Sequence, residues 1–504
     1  MKIDTEDGLR LLFEAQGRKR REVAGRDAKA RKARLLRLRA AILERQEDLK
    51  EALHKDYRKP AAEAWLTEIY PTIEELDFTV RHLSSWMRDK RAPGVAVFPL
   101  ARSRLRHEAL GRVLILSPWN YPFQLLLAPL ISALAAGNVV IAKPSNKTPA
   151  TAAFIASLIE SVFPQDEVAV VEGPGAVLGE ALLSLPFDHI FFTGSPRIGA
   201  HVGEAASRVH ARVTLELGGK SPVVILPDAD IDEAAKRIVW AKHLNAGQTC
   251  IAPDYVLCPR DLVDSFAGAA LRWVKAYYGE DEAARRASPD LARIIDQAAC
   301  ARHEALVGQA VAAGATKVYG GDFGQEERYA PPTLLTGVDP GMDVMAEEIF
   351  GPILPVLAYG DLEEALGLIG SRPKPLSLYV FGKARAGEVL SRTTSGSACV
   401  NDLIVQIENL HLPFGGVGMS GTGSYHGQFG FRAFSHERNL MVQGPLNLTA
   451  LFYPPYGRRI QDLARGLVGG LKGMGRPASV RAAGGRGVHE GKPEGGGDIL
   501  AVPE

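Results

Sequence analysis

The sequence predicts an α/β protein built on parallel sheets. Short apolar runs alternate with capped helical stretches over residues 113–226. Alternation of this kind indicates βαβ units joined by right-handed crossovers. At 504 residues, the chain is also long enough for roughly three domains. Because ligands of parallel sheets bind beyond the carboxyl ends of the strands, the residues that follow each strand are the first candidates for function.

Five apolar runs predict the strands of the first sheet, at residues 113–116, 139–142, 168–171, 189–193 and 213–215. A second α/β region is predicted to begin near residue 217, with strands at 255–258 and 376–381 and helices near 261–278 and 291–313. Continuous apolar runs of this length are typical of strands that helices cover on both faces.

A helix is predicted over residues 27–57, ahead of both regions. Its apolar residues fall on one stripe, and Pro60 closes it. The stripe consists of Leu35, Leu38, Ile42, Leu49 and Leu53. The basic run at 18–21 is interpreted as the solvated start of this helix, because acidic residues follow soon after it. A patch for nucleic acid or anionic lipid is the alternative.

Composition and charge exclude several classes of protein. The chain is 46% hydrophobic and 23% charged, which is typical of a globular protein and excludes a wholly disordered or collagen-like one. Its 59 Lys and Arg against 58 Asp and Glu leave a net charge of +1, too little to attract nucleic acid through an overall field. The four cysteines form no C-x-x-C pair, so neither a disulfide framework nor a metal site is expected. No apolar secretory signal follows Met1, which favours a cytoplasmic location.

One run without charged residues extends from Val113 to Ala142 and is long enough to span a bilayer. Pro118, Pro122 and Pro129 interrupt it. Two short strands around an apolar helix fit this pattern, so the run is predicted to be buried core.

Two segments end in residues suited to binding or catalysis. In the first, an apolar strand leads through Gly194 to Ser195 and Pro196, residues that favour the N-cap and first turn of a helix. Free amides at such a helix start bind phosphate, although a plain strand–turn–helix junction has the same pattern. The second segment, 245–250, ends at Cys250 among small residues, which suits an accessible nucleophile. The other three cysteines are interpreted as small buried hydrophobes.

Two polar residues at strand ends extend this chemistry. Glu216 ends an apolar strand, where partial desolvation favours a general base, and a salt bridge to Lys220 is the alternative. Asn120 follows the strand at 113–116, so its side-chain amide is suited to donate a hydrogen bond to an oxyanion. A turn residue is the alternative for Asn120.

Together with three further segments, these motifs closely resemble the aldehyde dehydrogenase family. The segments are 142–146, 347–352 and 413–421. All occur in the order and spacing of that family, including the 34 residues from Glu216 to Cys250. The resemblance covers about residues 25–460. The late runs at 423–427 and 434–438 resemble the class three branch, which includes benzaldehyde, fatty aldehyde and coniferyl aldehyde dehydrogenases.

The resemblance implies NAD(P)-dependent oxidation of an apolar aldehyde, aromatic or medium- to long-chain aliphatic, to its acid. Cys250 would be the nucleophile, Asn120 and the Cys250 main-chain N–H would hold the oxyanion of the thiohemiacetal, and Glu216 would activate the water that hydrolyses the thioester. Relatives that acylate coenzyme A or reduce acyl phosphates generally lack that carboxylate. The three residues together argue against a non-catalytic cofactor-binding scaffold. Tyr121, Trp119 and Phe414 suggest an aromatic-lined pocket.

The resemblance also implies a cofactor site made of Lys143, Asn146, Gly194, Ser195, Gly199, Glu348 and Phe350. Lys143 would bind the adenosine ribose, the glycine–serine segment the pyrophosphate, and Glu348 and Phe350 the nicotinamide ribose and ring. Asn146 departs from the family pattern, which commonly has a Glu that repels a 2′-phosphate. Because Asn146 lacks this charge, NADP is predicted to be accepted as well as NAD.

The implied fold is a Rossmann-type parallel-sheet cofactor domain, a second α/β catalytic domain and a small β bridging and oligomerisation element. The boundaries are 1–95 and 112–217 for the cofactor domain, 218–400 for the catalytic domain, 96–111 and 401–445 for the bridging element, 446–473 for a C-terminal helix and 474–504 for a disordered tail. A homodimer is implied, formed through the segment near 401–440. The basic, amphipathic C-terminal helix is interpreted as docking on the partner subunit, and contact with an anionic membrane surface is the alternative.

Overall fold

The computed structural model describes residues 5–94, 100–173, 175–444, 453–458, 460–462 and 465–466. By their contacts the residues group into two units, one of Met1–Arg91 with Arg104–Leu440, the other of Ala92–Ser103 with Met441–Glu504. The predicted C-terminal helix at 446–473 lies largely outside the described residues, and the predicted disordered tail at 474–504 lies wholly outside them. The division into cofactor, catalytic and bridging domains stays a prediction.

The described residues form the α-helices α1 Glu6–Ala24, α2 Ala28–Glu44, α3 Gln46–Tyr57, α4 Ala61–Ala64, α5 Tyr70–Trp86, α6 Gln124–Ala136, α7 Pro149–Val162, α8 Gly175–Leu183, α9 Pro196–Arg208, α10 Ile231–His243, α11 Val263–Tyr278, α12 Glu282–Ala287, α13 Gln297–Ala312, α14 Leu362–Gly370, α15 Ala386–Arg392 and α16 Gly427–Ala433. A π-helical turn, Trp65–Ile69, joins α4 to α5. The strands are β1 Lys90–Ala92, β2 Arg102–Ala109, β3 Arg112–Leu116, β4 Val139–Lys143, β5 Val168–Val170, β6 His189–Gly194, β7 Arg212–Leu217, β8 Pro222–Ile225, β9 Tyr255–Pro259, β10 Thr316–Tyr319, β11 Thr333–Thr336, β12 Ile353–Tyr359, β13 Ser377–Phe381, β14 Ser397–Val400, β15 Gly421–Thr422 and β16 Ser435–Val442.

A six-stranded sheet forms the first α/β region, in the order β15-β7-β6-β3-β4-β5. Its strands are parallel except for β15, which pairs antiparallel with β7. The chain proceeds from β3 through β4 to β5 on one side and then through β6 to β7 on the other. The strand order therefore reverses between β3 and β6, where parallel sheets bind their ligands. The five strands predicted for this sheet are all present.

A seven-stranded sheet forms the second region, in the order β10-β11-β12-β9-β8-β13-β14. Its strands are parallel except for the β10–β11 pair. A third sheet has the order β1-β2-β16. The predicted α/β class, with parallel sheets covered by helices, is confirmed.

The predicted helix over 27–57 is instead two helices, α2 and α3, which meet at Arg45. Its five predicted core residues are all fully buried. The interpretation of the basic run at 18–21 as the start of this helix is wrong, because the run lies inside a separate helix, α1. Asp27 starts α2 afresh by accepting a hydrogen bond from the N–H of Ala30.

The uncharged run forms β3, α6 and β4, and every residue of α6 is buried. Gly137 ends α6 with φ 91, a left-handed conformation that suits glycine. The prediction of buried core is confirmed. Across the described ranges, no helix combines the length and apolar character needed to cross a membrane.

A buried ion pair joins the N-terminal helices to α6. Lys59 Nζ lies 2.9 Å from Glu68 Oε1, and both side chains are fully buried. The other oxygen of Glu68 accepts hydrogen bonds from the N–H groups of Phe123 and Gln124, at 3.2 and 2.8 Å. These amides begin α6 and have no partner within the helix. Glu68 therefore both neutralises Lys59 and caps α6.

The substitution Lys59→Met is expected to lower the free energy of unfolding by about 3–5 kcal/mol, because it leaves the Glu68 charge buried without its cation. Urea unfolding measures this loss. The control is Lys50→Met, which breaks an ion pair whose partner Glu47 is 78% exposed, and its expected loss is below about 1 kcal/mol. Equal losses in the two variants would contradict the interpretation.

Candidate active site

Asn120 lies just beyond the carboxyl end of β3, at the edge where the strand order reverses. Its main-chain carbonyl accepts two hydrogen bonds, from Tyr57 Oη at 3.0 Å and Asn245 Nδ2 at 2.9 Å. Asn120 is also 3% exposed. The backbone that carries its side-chain amide is therefore fixed from two other parts of the chain.

Cys250 follows a turn with an unusual backbone. Asn245, Ala246 and Gly247 have φ values of 54, 53 and 74, so three consecutive residues are left-handed. A Cβ at Gly247 would collide with the carbonyl oxygen of Gly351, so only glycine fits there. This close approach brings the turn before Cys250 against the predicted nicotinamide-binding segment.

Hydrogen bonds hold this strained turn in place. The N–H of Asn245 donates to Glu63 Oε2 at 2.9 Å. Gln248 Nε2 donates to the carbonyls of Asn245 and Arg293, both at 3.1 Å, and its Oε1 accepts from the N–H of Ile295 at 2.8 Å. Left-handed non-glycine residues persist only where the surroundings determine them strongly.

The environment of Cys250 disfavours its charged form. The residue is partly exposed and packs at the edge of the hydrophobic core. Burial raises the pKa of Cys250 to about 12, and the nearby charges of Glu348 and Glu216 add to this effect. The main-chain N–H groups of Cys250 and Ile251 act in the opposite direction on this pKa. These two amides are therefore the main-chain groups that favour negative charge at this site.

Glu216 lies in β7, where it is buried and has Gly421 of β15 as its cross-strand neighbour. Neither carboxylate oxygen makes a hydrogen bond within the described part of the chain. Burial raises the pKa of Glu216 well above its usual value. The alternative of a salt bridge to Lys220 is wrong, because Lys220 Nζ lies 2.5 Å from Asp254 instead.

The predicted adenosine- and phosphate-binding residues lie at the carboxyl edge of the six-stranded sheet. Lys143 ends β4, and its buried Nζ makes a single long contact of 3.4 Å with the carbonyl of Pro144. Asn146 is exposed in the turn that follows. Ser195 is the N-cap of α9 and its hydroxyl caps no amide, so the first amides of α9 are available. Among the described residues Lys143 has no anionic partner and the start of α9 has no side-chain cap, and both features fit a dinucleotide.

Two glycines at this edge lie where a larger side chain would collide with its neighbours. A Cβ on Gly194 would come within 2.5 Å of the Phe192 ring. A Cβ on Gly199 would come within 2.6 Å of Leu217 Cδ2, so Gly199 lets α9 pack closely on β7. Phosphate binding at this helix start stays a prediction, with a plain strand–turn–helix junction as its alternative.

Glu348 and Phe350 lie ahead of β12, in a loop held by its main chain. Arg302 donates to the carbonyls of Glu348 and Ile349, at 2.7 and 2.9 Å, and Asp254 accepts from the N–H of Ile349 at 2.9 Å. Phe350 has φ 53 and meets Trp119 edge to face at 5.3 Å. Burial raises the pKa of Glu348 to about 8.

A mostly apolar cavity of about 280 Å³ reaches Cys250. Its walls include Tyr70, Trp240, Ile404 and Phe414. Tyr121 and Phe414 line the cavity as the sequence predicts, and the hydroxyl of Tyr121 bonds to that of Thr249 at 2.6 Å. Trp119 is not among the lining residues and contacts Phe350 instead.

A model described as the aldehyde dehydrogenase family matches residues 3–440. The chain belongs to the aldehyde dehydrogenase family. "Aldehyde dehydrogenase family 3 member B1" of Homo sapiens is 41% identical, over 90% of this chain and 95% of that one. "Probable coniferyl aldehyde dehydrogenase" of Pseudomonas aeruginosa is 41% identical, over 87% and 91%. A solved structure described as the substrate-bound state of AldH from Staphylococcus aureus has a TM-score of 0.87 at 37% identity, and the match covers 91% of this chain and 99% of that chain.

As an aldehyde dehydrogenase of the class three-like branch, the chain is an oxidoreductase that oxidises aldehydes with NAD or NADP. The predicted family, fold class, reaction and cofactor type are confirmed. The roles of individual residues stay predictions.

Sequence reasoning missed several residues that shape this aldehyde dehydrogenase site. Glu63 holds the turn before Cys250 from 182 residues away. Glu75 and His426 line the cavity, and Glu75 accepts from Gly427 across 352 residues. Contacts at such separations leave no local pattern in the sequence.

The pKa of Cys250 predicts its reactivity in the aldehyde dehydrogenase without cofactor. Alkylation by iodoacetamide should rise steadily from pH 7 to 10 without a plateau, since the thiolate fraction grows over the whole range. Glu348→Gln removes a charge that raises this pKa and should speed alkylation several-fold at pH 8. Peptide-level mass spectrometry follows the labelling of Cys250.

The matched control for this experiment is Glu347→Gln, since the neighbouring side chain is 84% exposed. Its alkylation rate should equal that of the unsubstituted protein. A plateau below pH 9, or the same acceleration in both variants, would refute the electrostatic argument.

Proposed function

We propose that this aldehyde dehydrogenase oxidises apolar aldehydes, aromatic or medium- to long-chain aliphatic, to carboxylic acids through covalent intermediates on Cys250. The observation that carries the proposal is the mostly apolar cavity that reaches Cys250. The buried carboxylate of Glu216 supports it, because its oxygens make no hydrogen bond among the described residues and its charge raises the pKa of Cys250. A pocket of this kind binds an apolar body by burial and leaves orientation to a few polar groups.

In the first half-reaction, the Cys250 thiol gives its proton to water, and the thiolate adds to the aldehyde carbon, so that the carbonyl oxygen becomes an oxyanion. The Asn120 side-chain amide and the Cys250 main-chain N–H donate hydrogen bonds to this oxyanion. The fixed backbone of Asn120 and the braced turn before Cys250 keep these donors oriented before substrate arrives. When bound at the sheet edge, NAD or NADP supplies the acceptor for the hydride that leaves the thiohemiacetal carbon.

In the second half-reaction, water hydrolyses the thioester. Glu216 takes a proton from this water as it attacks, and its burial makes it a stronger base than an exposed carboxylate. The product is the acid, and the Cys250 sulfur is regenerated. The same carboxylate disfavours the alternative of a coenzyme A-acylating or acyl-phosphate-reducing enzyme. Cys250, Glu216 and Asn120 together disfavour a non-catalytic scaffold.

The proposal includes a cytoplasmic homodimer. The edge strand β14 and the segment after it expose Val400, Val405 and Leu412, at 38%, 42% and 51%, which favours pairing with a second copy. Peripheral membrane contact through the C-terminal helix is the alternative use of the predicted 446–473 segment. Sedimentation with anionic liposomes, compared between the full chain and a chain ending at Tyr456, distinguishes the two.

The assigned roles predict different defects in two variants. Cys250→Ala should abolish NAD(P)H formation with a panel of aldehydes in the absence of coenzyme A. Glu216→Gln should give a first-turnover burst of NAD(P)H followed by slow acid release, because the thioester forms but is not hydrolysed. Stopped-flow absorbance and acid quantification measure these phases.

Glu204→Gln, an exposed change of the same kind, is the control and should keep steady-state turnover. Full turnover in Glu216→Gln would contradict the role given to Glu216.

The Asn146 position predicts the choice of cofactor. Asn146→Glu should lower kcat/KM for NADP about tenfold or more, because a carboxylate repels the 2′-phosphate, and should change kcat/KM for NAD much less. Gln309→Glu adds the same charge on the exposed side of α13 and should alter neither value. If the unsubstituted enzyme already prefers NAD by more than a hundredfold, the idea that NADP is accepted fails.

A further inference from the structure

Several polar side chains line the cavity, and two of its carboxylate and imidazole groups are deeply buried. Glu75 of α5 and His426, which precedes α16, are 2% and 6% exposed, whereas the lining carboxylates of Glu74 and Glu408 are not buried. Neither Glu75 nor His426 belongs to the predicted catalytic or cofactor sets. Polar groups this deeply buried normally have hydrogen-bond partners, so each needs an explanation.

Most of the polar side-chain atoms of Glu75 and His426 make no hydrogen bond among the described residues. Glu75 Oε1 accepts the N–H of Gly427 at 2.9 Å, but Oε2 makes no hydrogen bond in the ranges that the structure describes, although Thr79 is near enough to lower the pKa of this carboxyl. Neither ring nitrogen of His426 makes a hydrogen bond in those ranges, although the main chain of Ile407 affects its pKa. Of the two carboxylate oxygens of Glu75 and the two ring nitrogens of His426, only Glu75 Oε1 therefore has a hydrogen bond, to the N–H of Gly427, in those ranges.

The backbone conformation of His426 also indicates a role beyond packing. His426 has φ 76, a conformation that favours Gly or Asn over a bulky residue. Its ring stacks on Phe414 at 5.4 Å and meets Tyr425 at 4.3 Å, so two aromatic rings fix its orientation. A strained, oriented and unpaired imidazole is typical of a binding group.

Tyr425 lines the cavity together with Glu75, His426 and Cys250. Burial raises the pKa of Tyr425, and the charges of Glu216, Cys250 and Glu75 raise it further. Because all four residues line the same cavity, the pair of Glu75 and His426 and the sulfur of Cys250 face one space.

We propose that Glu75 and His426 form a polar subsite that binds a hydroxyl group on the aldehyde substrate. The hydroxyl donates to Glu75 Oε2 and accepts from the imidazole N–H, atoms that make no hydrogen bond among the described residues. This inference rests on the proposed function and narrows it to hydroxylated aldehydes. A site holding only an ordered water is the competing explanation.

The test compares kcat/KM for matched aldehydes: benzaldehyde with 4-hydroxybenzaldehyde, cinnamaldehyde with 4-hydroxycinnamaldehyde, and ω-hydroxyalkanals of increasing length with their parents. In at least one pair the hydroxylated member should be preferred about tenfold, the effect of one well-formed hydrogen bond. The preference should fall to about one in Glu75→Leu and in His426→Asn. His426→Asn suits the left-handed backbone but shortens the polar arm, so it tests the subsite even if Glu75→Leu does not fold.

The matched control is Glu51→Leu, which removes an exposed carboxylate from α3, outside the cavity wall. It should keep the hydroxyl preference. Equal kcat/KM within every pair, or a preference that survives both subsite variants, overturns the subsite and favours an ordered water. Cys250-dependent oxidation of the parent aldehydes in that case leaves the proposed function standing.

A second measurement does not depend on turnover. Acetophenone and 4-hydroxyacetophenone have the same shape but cannot be oxidised to an acid by this route. The hydroxylated ketone should protect Cys250 from iodoacetamide at a concentration about tenfold lower, and the difference should vanish in His426→Asn. Equal protection overturns the subsite. Absence of NAD(P)H formation with every aldehyde would overturn the proposed function separately.

Discussion

The active-site cavity depends on three buried carboxylates carried by the helix that runs from Ala61 to Trp86. Glu63 accepts the N–H of Asn245 in the turn before Cys250. Glu68 accepts the first amides of α6, and Glu75 accepts the N–H of Gly427 beside the cavity. Because a carboxylate has two accepting oxygens and no hydrogen to donate, it can hold main-chain amides that no helix or strand uses. One helix thus positions three separate segments: the turn before Cys250, the start of α6 and the turn at Gly427.

The π-helical turn in that helix brings the carboxylates to the same side. In an uninterrupted α-helix, neighbours on one face are three or four residues apart, and a spacing of five separates them. The π turn Trp65–Ile69 accommodates one additional residue, so Glu63 and Glu68 face the same way despite their spacing. Glu75 follows Glu68 by seven residues, or about two α-helical turns. The extra residue therefore lets Glu63 of α4 hold the turn before Cys250 while Glu68, within the π turn, holds the start of α6.

The parts of this arrangement that follow from local pattern could be predicted. Apolar runs predict the strand that precedes Asn120 and the strand that carries Glu216, and the family resemblance identifies Cys250. The break at Arg45 could not be predicted, because the apolar stripe continues through it with unchanged spacing. The π turn and the roles of Glu63 and His426 were also inaccessible, since each depends on partners far along the chain. Buried glutamates look like ordinary surface residues until their amide donors are known.

The low polarity that strengthens these hydrogen bonds also sets the charge state of the site. Burial alone raises the pKa of Glu63 and Glu75 to about 7, and it is the largest influence on Cys250 and Glu348 as well. The protein by itself therefore favours a neutral nucleophile, beside acids that keep their protons to a higher pH than exposed carboxyls do. Only the amides of Cys250 and Ile251 oppose this tendency at the sulfur, and the left-handed turn orients the chain that carries them. The strain of that turn is thus located where a preformed donor is most useful, and the hydrogen bonds of Glu63 and Gln248 help to keep it from relaxing.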